Sequence, residues 1–205
     1  MLEKEKYFRL NLFKKIFFIS LIFLHLGIQN SYSLSNQRAK VTVKKIKEIL
    51  IKTNSLSFDF TQKINDKIEI GKCLIKFPKL MHCYYDNKAK KQLISDGYTL
   101  AIYKKKYNKI YLYPLITLSL NHLLDKEFIL KELSSQKQFK ITDKIIEFEV
   151  YNKKQKIVIS FVPETFDLLG WKTNDIFQNK VEFTVYDVKK NVLIEESEFK
   201  IPKLD

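Results

Sequence analysis

The spacing of hydrophobic and polar positions changes twice along this chain, and the changes divide it. From Ile16 to Ile28 apolar residues run almost unbroken behind a basic start made by Lys4, Lys6, Arg9, Lys14 and Lys15, and Ser31 and Ser33 follow. This is the pattern of a secretory signal peptide over residues 1–33, cleaved after Ser33. The run is short for a membrane span of roughly 20 residues, so the sequence predicts a soluble, exported chain with one domain over 34–205. Between 37 and 52 the period is helical: Ala39, Val43, Ile46 and Leu50 share one face and lysines take the other. After Thr53 it becomes two. Leu56, Phe58, Phe60, Gln62 and Ile64 alternate with Ser57, Asp59, Thr61 and Lys63, as in a strand with one wet and one dry face.

That second pattern persists. Strands are predicted over 68–76, 80–85, 91–95, 99–103, 109–113, 139–142, 145–151, 156–162, 167–173, 180–188 and 198–201. Turns fall at Asn65-Asp66-Lys67, Phe77-Pro78-Lys79 and Asp96-Gly97. A short helix is predicted over 119–126, with Leu120, Leu123 and Leu124 on one side. About ten or eleven short strands without βαβ alternation imply a mainly β protein, an antiparallel sheet that curls on itself. A closed up-and-down barrel and an open one wrapped around helices both satisfy the pattern.

Composition excludes several classes. At 45% hydrophobic residues the chain is too apolar for disorder, and four Gly and four Pro exclude collagen-like or linker-rich architectures. The formal charge is +14; without the five basic and two acidic residues of 1–33, 32 basic and 21 acidic residues remain. Nucleic acid is the reflex partner for such an excess. Yet Arg9 and Arg38 are the only arginines, and the bidentate Arg fork is what base and phosphate readers favour. The lysines are also spread along the sequence. The charge reads mostly as composition, with a mild attraction to anionic membrane surfaces left open.

Catalysis finds no anchor. His25 lies in the signal segment, leaving His82 and His122, and no zinc-hydrolase, esterase or Cys-x-x-Cys motif occurs. Ser134-Ser135-Gln136-Lys137 matches Ser-x-x-Lys, as chance allows in a lysine-rich chain. No enzyme activity, metal or cofactor is expected. Cys73 and Cys83 stand five residues either side of Pro78. They are either a cross-strand disulfide or two reduced, half-buried thiols.

Leu56-x-Phe58-x-Phe60-x-Gln62, Gly71-x-x-x-Ile75-Lys76-x-Pro78, Tyr85-Asp86 and Leu93-Ile94-x-Asp96-Gly97-x-x-Leu100-x-x-Tyr103 follow one another in an order that resembles the LolA family. Leu118-Ser119-Leu120-Asn121-His122-Leu123-Leu124 is similar to the family's internal helix, and Phe199-Lys200-Ile201-Pro202 to its last strand. The resemblance implies an open, unclosed antiparallel β-barrel lidded by short helices, and a monomeric periplasmic carrier that takes the acyl chains of lipoproteins. It also implies two membrane partners, an inner-membrane lipoprotein-releasing transporter and an outer-membrane lipoprotein receptor. A lipid- or lipoprotein-sensing module on the same fold is the alternative. Three departures mark a divergent member: Phe77 where the family has an Arg that holds the lid shut, His82 where a second Arg is usual, and Ser119 in place of a Pro.

Under this resemblance Phe58, Phe60, Leu74, Met81, Leu93, Leu100 and Ile102 are the expected lining of an acyl-chain cavity. Val43, Ile46 and Leu50 with Leu120, Leu123 and Leu124 are the expected lid. Phe58 and Phe60 share one strand face, so they stand inside or outside together.

Overall fold

The computed structural model describes residues 37–135, 139–152, 155–175 and 178–203; the predicted signal peptide lies outside them. The chain divides into Met1–Thr42 and Val43–Asp205. Of the first unit residues 37–42 are described, and they are helical. Everything below concerns the second.

Helix α1 is described over residues 37–52, and its residues 43–52 belong to the second unit. Six strands then run out as a meander: β1 (Ser55–Ile64), β2 (Lys67–Lys76), β3 (Leu80–Tyr85), β4 (Lys91–Asp96), β5 (Thr99–Lys104) and β6 (Lys109–Pro114). Helices α2 (Leu120–Leu123) and α3 (Lys126–Ser135) follow. A second meander returns through β7 (Lys140–Ile141), β8 (Ile146–Asn152), β9 (Gln155–Phe161), β10 (Leu168–Asn174) and β11 (Lys180–Lys190). β11 pairs with β1, so the order is β6-β5-β4-β3-β2-β1-β11-β10-β9-β8-β7, antiparallel throughout. The sheet is not closed: β6 and β7 are its two edges. The segment joining these edges carries α2 and α3, so the topology itself takes the helices from one edge to the other.

The inward-facing residues form two cores. Leu56, Phe58, Phe60, Cys73, Ile75, Met81, Cys83 and Tyr85 pack with Phe183, Val185 and Leu124, which follows α2. Ile146, Phe148, Val150, Ile157, Ile159 and Phe161 pack with Ile46 of α1 and Ile129 and Leu133 of α3. Leu168 and Trp171 touch both clusters. Gly71 is required where it stands. A Cβ there would meet the Tyr84 carbonyl at 2.0 Å and the Phe60 ring at 2.7 Å.

Two predicted elements differ. The helix expected over 119–126 is shorter, ending at Leu123, and α3, which the spacing did not predict, follows it; Asp125 Oδ1 between them accepts the Phe128 N–H at 3.1 Å and so caps the start of α3. The strand expected over 198–201 is absent. Glu196–Phe199 is a 3₁₀ turn packed on β3 and β4. There the Tyr84 hydroxyl donates to Glu198 Oε2 at 2.5 Å, and His82 stacks on Tyr84 with its Nδ1 3.5 Å from the same oxygen. Tyr84 and His82 point away from the concave side, so this segment covers the back of the sheet and pairs with no strand edge.

Candidate functional site

The concave side encloses a hollow of about 290 Å³. It runs along β3 from Met81 to Tyr85, roughly 13 Å at strand rise. One end lies under α2 and is apolar, lined by Met81, Leu118, Leu120 and Leu123; Leu93, Leu100 and Ile102 continue the wall. The other end is polar, with Gln62, Tyr85, Thr173, Asn174 and Asp175. A second hollow of about 70 Å³ lies beside it and shares Met81, Leu120, Leu123 and Trp171 with the first. These four side chains are the partition between the two spaces.

Met81, Leu93, Leu100 and Ile102 therefore stand together on the wall of the larger hollow, and Leu120 and Leu123 stand over it. Phe58 and Phe60 share the inward face but are buried in the core and do not reach the hollow. Phe60 stacks on Phe183 at 4.5 Å, and Phe183 on Trp171 at 4.1 Å, and the latter two present the wall instead. Leu74 faces the back of the sheet, because its neighbours Cys73 and Ile75 face the core and strand side chains alternate. Leu124 and Leu50 line the smaller hollow, while Ile46 is buried, and Val43 half-buried, against the β8–β9 core.

Sequence reasoning missed Gln62, Tyr85, Tyr113, Trp171, Val181 and Phe183. Gln62, Phe183 and Trp171 form one cross-strand row on β1, β11 and β10. Only long-range pairing reveals that row, since the three residues are scattered over the chain. Cys73 and Cys83 sit directly opposite one another on β2 and β3 and are joined by a disulfide, and Cys83 lines the hollow.

Helix α2 is held over the hollow by its packing and by ties on either side of it, including the His122 ring 4.3 Å from that of Phe128 in α3. It has a single turn, and no side chain caps its start. The Lys79 N–H donates to the Leu124 carbonyl at 2.9 Å, and Lys79 Nζ lies 3.7 Å from Asp125. Lys126 Nζ donates to the carbonyls of Ile51 and Thr53 at 3.3 and 3.1 Å and to Asn54 Oδ1 at 3.4 Å, which ties the start of α3 to the end of α1. The same ammonium lies 5.9 Å from the centre of the Phe77 ring, and the Phe77 N–H donates to the Asn54 carbonyl at 2.9 Å. A single helical turn has little stability of its own and keeps its place by packing.

At the polar end the Tyr85 hydroxyl donates to Gln62 Oε1 at 2.7 Å. Lys91 Nζ sits 3.7 Å over the Tyr85 ring and donates to buried Glu69 at 2.5 Å. Burial pushes the Glu69 carboxyl up, but the Lys91 hydrogen bond, the charges of Lys91 and Lys67 and the Asn87 amide together hold it below its ordinary value. Among the described residues, no group of three or more His, Cys, Asp or Glu is gathered to hold a metal. The site offers apolar surface with a polar margin, a chemistry of binding.

A sequence model described as "Outer membrane lipoprotein carrier protein LolA" matches residues 51–202. The chain belongs to the LolA family. Among curated proteins none matches it. Solved structures similar to it include an uncharacterized conserved protein from Thermus thermophilus, at 10% identity and a TM-score of 0.49, covering 82% of this chain and 95% of that one. A LolA superfamily protein from Nitrosomonas europaea is 12% identical, with a TM-score of 0.42 over 80% of this chain and 97% of that one. An outer membrane lipoprotein-sorting protein domain from Vibrio parahaemolyticus is 8% identical, with a TM-score of 0.41 over 78% and 97%. The family assignment rests on the sequence match, and within the LolA family this chain is divergent. Phe77 lies where the ends of α1 and β2 meet, its N–H donating to the Asn54 carbonyl and the Lys126 ammonium 5.9 Å from its ring centre. Ser119 stands at the start of α2, and His82 faces the back of the sheet.

Proposed function

We propose that this protein is a periplasmic carrier of acylated cargo. It receives the acyl chains of lipoproteins from an inner-membrane lipoprotein-releasing transporter and delivers them to an outer-membrane receptor. One observation carries the reading: an apolar hollow lined by Met81, Leu93, Leu100 and Ile102 lies beneath two leucines of a single-turn helix. The energetics make such a device necessary. At about 0.8 kcal/mol per methylene, exposing a chain of about sixteen carbons to water costs on the order of 12 kcal/mol. A carrier must cover most of that surface and still let go. Moving α2 outward removes Leu120 and Leu123 from the partition, joins the two hollows into one trough, and exchanges the helix's own apolar face for acyl chain. Residues 1–33 supply the export signal in this reading.

The test is lipoprotein release from donor membranes in the presence of the purified protein, with Leu120→Glu and Leu123→Glu compared to wild type. Both variants are expected to keep the circular dichroism of the folded chain and to lose release. Release at the wild-type rate from folded variants overturns the assignment of α2. Lipid extraction and mass spectrometry of the wild-type protein, expected to recover acylated protein, is the second arm. Recovery of free lipid alone would replace the carrier by a lipid-binding module.

A further inference from the structure

The lysines that look dispersed in sequence are gathered by the fold at the polar end of the hollow. The β4 residue two before Leu93 is Lys91, the β5 residue two after Ile102 is Lys104, and the β6 residue two before Tyr111 is Lys109. Leu93 and Ile102 line the hollow, and Tyr111 pairs with Ile102. Strand alternation therefore puts all three lysines on the concave face, one step of about 7 Å beyond the apolar wall. Register makes the row tighter still. Lys91 is directly opposite Lys104, and Lys104 directly opposite Lys109.

Like charges opposed across strands destabilise a sheet. Among the described residues Glu69 is the one carboxylate in ion-pair contact with this row, through Lys91, and it is shared with Lys67. Lys104 instead lies 5.3 Å over the Tyr111 ring. Burial, and after it the charges of Lys67 and Lys104, act against protonation of Lys91 and outweigh Glu69, so its ammonium titrates below the usual lysine range. The flanking loops add to the crowding. Lys88 and Lys90 precede β4, Lys105 and Lys106 follow β5, and the Lys106 N–H donates to the Ala89 carbonyl at 3.2 Å, joining the two loops. Against these eight lysines this end of β2–β6 sets Asp66, Glu69 and Asp86, and Asp175 of the β10–β11 turn also lines the polar end of the hollow.

We propose that the row Lys91–Lys104–Lys109 is a head-group site, and that the acylated cargo held in the hollow carries an anionic group, such as a carboxylate, beside its acyl chains. This deepens the carrier reading and rests on it. An acyl chain lying along β3 beneath α2 leaves its polar end at Tyr85 and Gln62, next to the row. An anion there relieves the repulsion among the lysines, so chain burial and charge neutralisation act on one molecule at once.

Trp171 is the only tryptophan in the chain and lines the hollow, so its emission reports occupancy. The purified protein is titrated with palmitoyl lysophosphatidylglycerol, which is anionic, and palmitoyl lysophosphatidylcholine, which is zwitterionic, below their micelle concentrations. The anionic lipid is expected to bind about tenfold more tightly. In Lys104→Gln/Lys109→Gln the two affinities should converge to within about twofold, while Lys104→Arg/Lys109→Arg retains the preference and serves as the folded control. Equal affinities in wild type overturn the head-group site and leave the acyl hollow standing. Absence of any response to either lipid overturns both. If millimolar inorganic phosphate, against chloride at the same ionic strength, removes the preference, the row takes a free anion and the cargo assignment falls.

Discussion

The backbone N–H of Lys79 donates to the carbonyl of Leu124 at 2.9 Å, joining the β2–β3 turn to the end of the single-turn helix over the hollow. It is the backbone tie between that turn and α2. Lys126, one step further, reaches the carbonyls at the end of α1. Replacing Lys126 by Ala removes three donated hydrogen bonds from exposed or half-buried carbonyl and amide oxygens. A loss of about 1–2 kcal/mol is expected, read as a lower urea midpoint. Exchange of the Lys79 amide proton should quicken more than exchange in β1. Unchanged exchange at Lys79 would mean that Lys126 does not hold α2.

Gly71 makes a sharper case. The Phe60 ring and the Tyr84 carbonyl occupy the space a side chain would need. Gly71→Ala must either push Phe60 out of its stack with Phe183 or part β2 from β3. Both routes damage the core below the hollow. Destabilisation of about 2 kcal/mol or more is expected by chemical denaturation, together with a shift in Trp171 emission, since Phe183 also stacks on Trp171.

Glu69 and Lys91 form a nearly buried ion pair, their side chains 8% and 16% exposed. Glu69→Gln leaves the Lys91 ammonium without its partner and beside Lys67 and Lys104, at a cost of about 3 kcal/mol at neutral pH. The pH dependence follows from the depressed carboxyl. Its contribution is present above the ordinary glutamate value of about 4.3 and is lost as the pH falls through the lower folded-state value. Urea midpoints of wild type and Glu69→Gln should differ at pH 7 and converge on acidification below that range. A difference constant from pH 7 to pH 3 would show that the loss is one of packing.

The disulfide closes a loop of sequence separation 10. Loop-closure entropy for such a loop corresponds to about 2–3 kcal/mol. Cys73→Ala/Cys83→Ala should lower the unfolding midpoint accordingly, and it also opens space beside Met81 and Leu93. Reduction of the wild-type protein should match the double variant in stability. If instead it leaves stability unchanged, the bond contributes nothing to the fold.

How far this protein can be read from its residues depends on the range of each interaction. Alternation at Leu56, Phe58 and Phe60, the Asp96-Gly97 turn and the Leu120/Leu123 pair are local patterns, and they are enough to foresee the strands, the curl of one antiparallel sheet and a helix over it. Asp125 misleads for a local reason too: its carboxylate starts α3, and a reading by apolar spacing runs through it. Face assignment is harder. The inward set of β1 is recognisable as a set, but whether Phe60 touches empty space or another ring depends on Phe183, more than a hundred residues away.

The sequence by itself determined the eleven strands of the sheet, the first helix, their amphipathic faces and the membership of the family, because side-chain period and turn chemistry act over a few residues. Tertiary structure alone decided that β11 returns beside β1, that Trp171 and Phe183 complete the wall, and that Leu74 and His82 face away from it. It also decided that Lys91, Lys104 and Lys109 meet in one row. Pairing register sets those relationships, and register is fixed by how whole strands pack. No spacing within a single strand records it.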